Sequence, residues 1–76
     1  MKRDQLIKVR KQMEMTQEDV ARTAGIHRSY YGFIENGRRN PTLKIATQIA
    51  IALNSNIGEL FPGEIFFANK CYEMKL

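Results

Sequence analysis

Cysteine and histidine each occur once, as Cys71 and His27. No disulfide can close within such a chain, and one thiol with one imidazole falls short of the four ligands of a structural zinc site. Neither residue has an evident partner for nucleophilic or acid–base chemistry. No glycine loop is spaced to cradle a phosphate, and no pair of carboxylates shares a helix face. An enzyme, a metal site and a bound cofactor are therefore all unexpected. No apolar run reaches the roughly 18–20 residues that span a bilayer, and no apolar stretch follows the basic start Met1-Lys2-Arg3, as a secretory signal requires. The expectation is a cytoplasmic protein with a reduced thiol and no membrane association.

A chain of 76 residues makes one domain, and at that size folding buries only about 60% of the surface the unfolded chain exposes. Without disulfide or metal, its stability rests on regular helix packing or on a partner subunit. The net charge of +4 is unevenly placed. Residues 1–44 carry ten lysines and arginines against five acids, whereas residues 45–76 carry two against three. A basic front and a near-neutral back suit a protein that meets a polyanion with one side. Ordinary surface scatter produces the same numbers, so charge alone decides nothing.

Breakers at Gly25, Asn36-Gly37, Asn40-Pro41 and Pro62-Gly63 divide the chain into helical patterns. The first, about Asp4 to Glu14, sets Leu6, Val9 and Met13 at helical spacing with Ile7 beside them. In the second, Thr16 is a suitable N-cap and Glu18 and Asp19 lie where the helix dipole favours negative charge. Met15 and Val20 form the hydrophobic-staple pair, and Gly25 ends the helix as a left-handed residue. A third helix runs from His27 or Arg28 to Asn36. A fourth opens at Pro41-Thr42, capped by Thr42, with Leu43, Ala46, Ile49, Ala50 and Leu53 on one face. A short turn, Ile57 to Leu60, closes an all-helical bundle. The aromatic tail after Pro62-Gly63 reads as a short strand or an extended arm. Ile51 falls on the polar side of the fourth helix. It is either a plain exposed apolar residue or one covered by Phe66, Phe67 or a second subunit.

Residues Gln17 to Asn36, QEDVARTAGIHRSYYGFIEN, have the residue types that two helices meeting near a right angle require. Val20 and Ala24 fill the angle, Ala21 is small where the second helix crosses, and Gly25 supplies the positive φ of the turn. Ile26, Tyr31 and Ile34 seat the second helix on the core, although Tyr31 is bulkier than the usual aliphatic residue. The strings TQEDVARTAGI, SYYGFIENGRRNPTL and IALNSNIGELF together resemble the lambda-repressor/Cro-like helix-turn-helix family, also called the XRE family, over roughly Gln5 to Phe61. The resemblance implies an all-α, five-helix DNA-binding domain over residues 1–61. Residues 62–76 form a tail outside the common core and a candidate dimerisation element; its Ile65, Phe66 and Phe67, together with Ile51 of the fourth helix, are the candidate dimer residues. It also implies a salt bridge between Arg10 and Glu35, the latter at the edge of its helix's core face, where a carboxylate needs a partner.

Turning 100° per residue, the third helix points Tyr31, Ile34 and Glu35 inward. Ser29, Gly32, Phe33 and Asn36 face the other way, flanked by Arg28 and Tyr30. Such a helix enters the major groove with its N-terminal residues nearest the bases. Arg28 has the fork that matches guanine O6 and N7, or it contacts phosphate. Ser29 reaches base or phosphate, and Phe33 touches a thymine methyl or packs on its own protein. Gly32 lets the backbone approach DNA at about 1 kcal/mol of helix propensity. Tyr30 suits a phosphate contact. Thr16 and Gln17 lie at a helix start, where free N–H groups attract phosphate, and the resemblance implies that Gln17 holds the DNA backbone. Asn36, Arg38, Arg39 and Asn40 form a basic loop suited to phosphate. His27 replaces a small capping residue, so it either reaches DNA or stays solvated.

The expected function is sequence-specific binding of double-stranded DNA by a homodimer on a palindromic operator, acting as a transcriptional repressor. The rival is a helix-turn-helix module that mainly binds another protein, as an antitoxin binds a toxin.

Overall fold

The computed structural model describes the backbone of residues 1–67 and 70–73 and the side chains of residues 1–66. Its elements in chain order are α1 (Asp4–Gln12), α2 (Gln17–Ala24), α3 (Arg28–Glu35), α4 (Leu43–Ala52), α5 (Ile57–Leu60), β1 (Glu64–Phe67) and β2 (Lys70–Glu73). Local chemistry fixes most of these boundaries. Helix α1 ends two residues before the expected Glu14. That residue takes the left-handed conformation at φ +57, and its N–H and that of Met15 close onto Lys11 O and Arg10 O. This is the Schellman pattern with glutamate at the position glycine usually fills.

Thr16 caps α2 within a full capping box. Its hydroxyl accepts from Asp19 N at 3.0 Å, and the Asp19 carboxylate accepts from Thr16 N at 2.9 Å. Gly25 at φ +75 turns the chain out of α2. His27, although larger than the usual cap, caps α3: its Nδ1 accepts from Ser29 N at 3.1 Å while the side chain stays exposed. Thr42 caps α4 and Asn56 caps α5 in the same manner, at 3.2 and 2.8 Å.

The core is one cluster: Leu6 and Val9 of α1, Val20, Ala21 and Ala24 of α2, Tyr31 and Ile34 of α3, Ala46, Ile49 and Ala50 of α4, then Leu53, Leu60 and Phe61. Each large member contributes on the order of 1.5–3 kcal/mol by leaving water. Small Ala21 and Ala24 let α2 pack between α3 and α4, while α1 packs against α3 and α5. Leu43 departs from the expected inner face of α4. It is the first residue of the helix and stands 37% exposed.

The tail is more than one strand. β1 and β2 pair antiparallel, with Ile65 opposite Tyr72 and Phe66 opposite Cys71. Phe66 packs on the core edge-on to Phe61, with ring centroids 6.0 Å apart. It therefore does not cover Ile51, which remains 74% exposed. Ile65 is half-buried, and the side chain of Phe67 lies outside the described residues.

Candidate nucleic-acid interface

Helix α3 is anchored from its inner side by Glu35, a carboxylate only 1% exposed. A charge in that position needs full compensation by partners. Arg10 Nε donates to it at 2.6 Å, and a second guanidinium nitrogen does so at 3.3 Å. The amide of Gln17 donates at 2.9 Å to Oε1, the same oxygen that the second guanidinium nitrogen reaches. Arg10 also donates to Met15 O at 2.9 Å, so the group fastens α1, the α1–α2 turn, α2 and α3 together. The hydrogen bond to Glu35 is the main cause that raises the Arg10 pKa. Tyr31 lies beside this group, fully buried, and its hydroxyl has no hydrogen-bond partner of good geometry among the described residues. Burial is the main cause that pushes its pKa well above the ordinary phenol value, with the Glu35 carboxylate adding to the rise.

Among the described residues, most of the opposite face of α3 is uncovered. Arg28, Ser29 and Asn36 are exposed, Phe33 is 38% exposed, and Gly32 is half-buried. Phe33 thus takes no full place in the protein's own packing. Tyr30, on the flank of this face, is half-buried and packs against the core. Arg28 lines an open cleft of about 630 Å³ with Thr16, Gln17 and Glu18 at the start of α2 and with Arg10, Lys11 and Glu14 at the end of α1, so both signs of charge border it. Within the cleft Arg10 is held by Glu35 and Met15 O, which leaves Lys11 and Arg28 as its outward cations beside the start of α2. Gln17 faces two ways here. Its Nε2 is held by Glu35, while its Oε1 lies 3.5 Å from where a Cβ at Gly32 would stand.

Beyond α3, Arg38 and Arg39 are exposed and their N–H groups close back onto Phe33 O. Asn40 is also exposed, but its Oδ1 accepts from Arg3 at 2.8 Å. Sequence reasoning missed Arg3, which braces this loop from within the protein. It precedes α1, so it has no place in a helical period. Its principal acidic partner, Glu64, is 61 residues away in the chain, and the two approach to 2.6 Å.

Comparison with known proteins agrees with this geometry. A family model described as helix-turn-helix matches residues 6–60. The chain belongs to the helix-turn-helix family. The family is one of DNA-binding transcriptional regulators and not an enzyme family. An uncharacterized helix-turn-helix-type regulator, YqaF of Bacillus subtilis, is 40% identical over 75 residues, covering 99% of this chain and 91% of that protein. A similar regulator of Archaeoglobus fulgidus is 37% identical over 59 residues, covering 78% and 83% of the two chains. Among solved structures, the restriction-modification controller protein C.AhdI of Aeromonas hydrophila aligns with a TM-score of 0.72 at 37% identity, covering 75% of this chain and 86% of that one. Membership accounts for the XRE-like strings and the five-helix order. Among the described residues no helix is long and apolar enough to cross a membrane.

Proposed function

We propose that this helix-turn-helix protein is a sequence-specific transcriptional repressor that binds a palindromic operator as a homodimer, with α3 in the major groove. The observation that carries this reading is the division of α3 into two faces. The inner face is fastened by Glu35, Tyr31 and Ile34, whereas Arg28, Ser29, Gly32, Phe33 and Asn36 stand open to a partner. In this reading Arg28 reads guanine through its fork, and Ser29 and Phe33 add weaker contacts. Thr16, Gln17, Arg38 and Arg39 hold the phosphates on either side. His27 serves its helix as a cap, and Asn36 and Asn40 border the groove. Ile51, an exposed isoleucine on the outer side of α4, is open to a second copy of the chain. A domain seated in the groove acts by occupying the site, which makes repression the natural regulatory sign.

Selection of bound duplexes from a random pool tests the reading. The expected product is an inverted repeat whose half-site centres lie roughly one helical turn, about 34 Å, apart, with the protein sedimenting as a dimer on it. A pool that yields no enriched sequence contradicts sequence-specific binding. A single unrepeated half-site bound by a monomer contradicts the dimer.

A further inference from the structure

Arg3 spends every donor it has. An arginine offers five N–H groups in a rigid fork. Here Nε and one Nη2 hydrogen face the Glu64 carboxylate, at 3.1 and 2.6 Å to its two oxygens. The other Nη2 hydrogen goes to Asn40 Oδ1 at 2.8 Å. Nη1 donates to Ile34 O at 2.6 Å and to Arg39 O at 3.0 Å. The guanidinium also lies 5.7 Å from the ring centre of Phe61, and the Arg3 backbone N–H donates to Glu35 O at 2.8 Å. One side chain, itself only 10% exposed, therefore joins the last turn of α3, the loop after it, α5's end and the start of β1. Next to it the Met1 backbone lies so close to Gly37 that no side chain fits there.

We propose that Arg3 is a positioning residue for DNA binding. It fixes the 36–40 loop so that Arg38 and Arg39 meet phosphate, and through Glu64 it makes that geometry depend on the docked C-terminal hairpin. Arg3 presents no free donor to DNA, so its effect runs through the loop. Lysine keeps the charge but has three donors on a point-like head, and cannot hold two carbonyls, an amide and a carboxylate together. The proposal rests on the DNA-binding reading of the loop.

The test uses Arg3→Lys, Glu64→Gln and the loop variant Arg38→Ala/Arg39→Ala, each alone and Arg3→Lys with the loop variant. Binding to a mixed-sequence 24-base-pair duplex is titrated over a salt series, and amide NMR spectra of the free proteins are compared. Arg3→Lys, with net charge unchanged, is expected to shift the Arg38–Asn40 amides. It should weaken binding about tenfold and flatten the salt slope by about one phosphate contact. The loop variant should then cost less in the Arg3→Lys protein than in the wild type. Glu64→Gln, which leaves the carbonyl and amide contacts standing, should move the same amides and the same slope by a smaller amount, and it carries the test if Arg3→Lys does not fold. Full additivity of Arg3→Lys with the loop variant overturns the proposal, as does an unchanged salt slope in both Arg3→Lys and Glu64→Gln. If the loop variant alone leaves binding unchanged while Arg3→Lys still shifts the loop amides, the DNA role of the loop fails and the proposal with it; unshifted amides instead locate the failure in Arg3.

Discussion

Replacing Gly32 by alanine separates the stability of α3 from its use. Gly32 lies inside the helix with no positive φ, and within 4 Å an added Cβ meets only Gln17 Oε1 at 3.5 Å, an ordinary contact. Nothing needs to move to admit the methyl group. The gain is the helix-propensity difference between glycine and alanine, ~0.8–1.0 kcal/mol. For a domain of this size that corresponds to a rise in Tm of roughly 4–8 °C. The same methyl group occupies the outer face, where the backbone is proposed to approach DNA. A loss of about tenfold in affinity, ~1.4 kcal/mol, is then expected on a selected duplex. Thermal unfolding followed by circular dichroism and a fluorescence-anisotropy titration measure the two quantities on one preparation. A lower or unchanged Tm refutes the packing argument. A higher Tm with unchanged affinity refutes the close approach of Gly32 to DNA.

Arg10→Ala leaves Glu35 buried without its cation and should cost ~3–5 kcal/mol in urea unfolding. A loss under about 1 kcal/mol would show that the carboxylate is served by Gln17 alone. Thr16→Ala removes one half of the capping box and should cost about 1 kcal/mol in the same assay, with the α2 amides exchanging faster. Alkaline pH probes Tyr31. Its folded pKa is raised, so the stability it contributes is complete below the ordinary phenol pKa, about 10, and is lost as pH rises beyond it. The unfolded chain then releases a proton that the folded one keeps, a slope of up to ~1.4 kcal/mol per pH unit. Denaturant unfolding between pH 9 and 11.5 should show that slope, and Tyr31→Phe should remove it. Equal slopes in the two proteins contradict the burial of the phenol.

The elements legible in the sequence were those set by short-range chemistry. Thr16, Gly25, Thr42 and the 3.6-residue spacing of Val20, Ala24, Ile49 and Leu53 act within one turn of helix, so reading along the chain finds them. Glu35 was legible for a related reason, because a carboxylate on an inward face demands a partner. What escaped was chemistry between distant segments. The Arg3–Glu64 pair joins the two ends of the chain, and neither residue belongs to a periodic pattern that marks it. Glu14 at the end of α1 also hid a turn, since left-handed backbone usually falls to glycine or asparagine and only the closing hydrogen bonds reveal it. Helical period placed Tyr30 on a flank, where it is half-buried, and Leu43 inside, whereas Leu43 stands out because it begins its helix, where neighbours are fewer. Ile51 stays exposed because Phe66, one of its candidate covers, turns to Phe61 instead.

The most direct test of the account is the division of labour between Arg28 on α3 and Arg38 in the loop. Binding-site selection from a randomised duplex pool, run in parallel with wild type, Arg28→Ala and Arg38→Ala, measures it. The account predicts that Arg28→Ala relaxes preference at one guanine of each half-site, by roughly 1–3 kcal/mol, and leaves the other positions as they were. Arg38→Ala should weaken binding to all sequences alike and retain the wild-type consensus. A consensus unchanged by Arg28→Ala, or one altered equally by both substitutions, would contradict the claim that the open face of α3 reads the sequence.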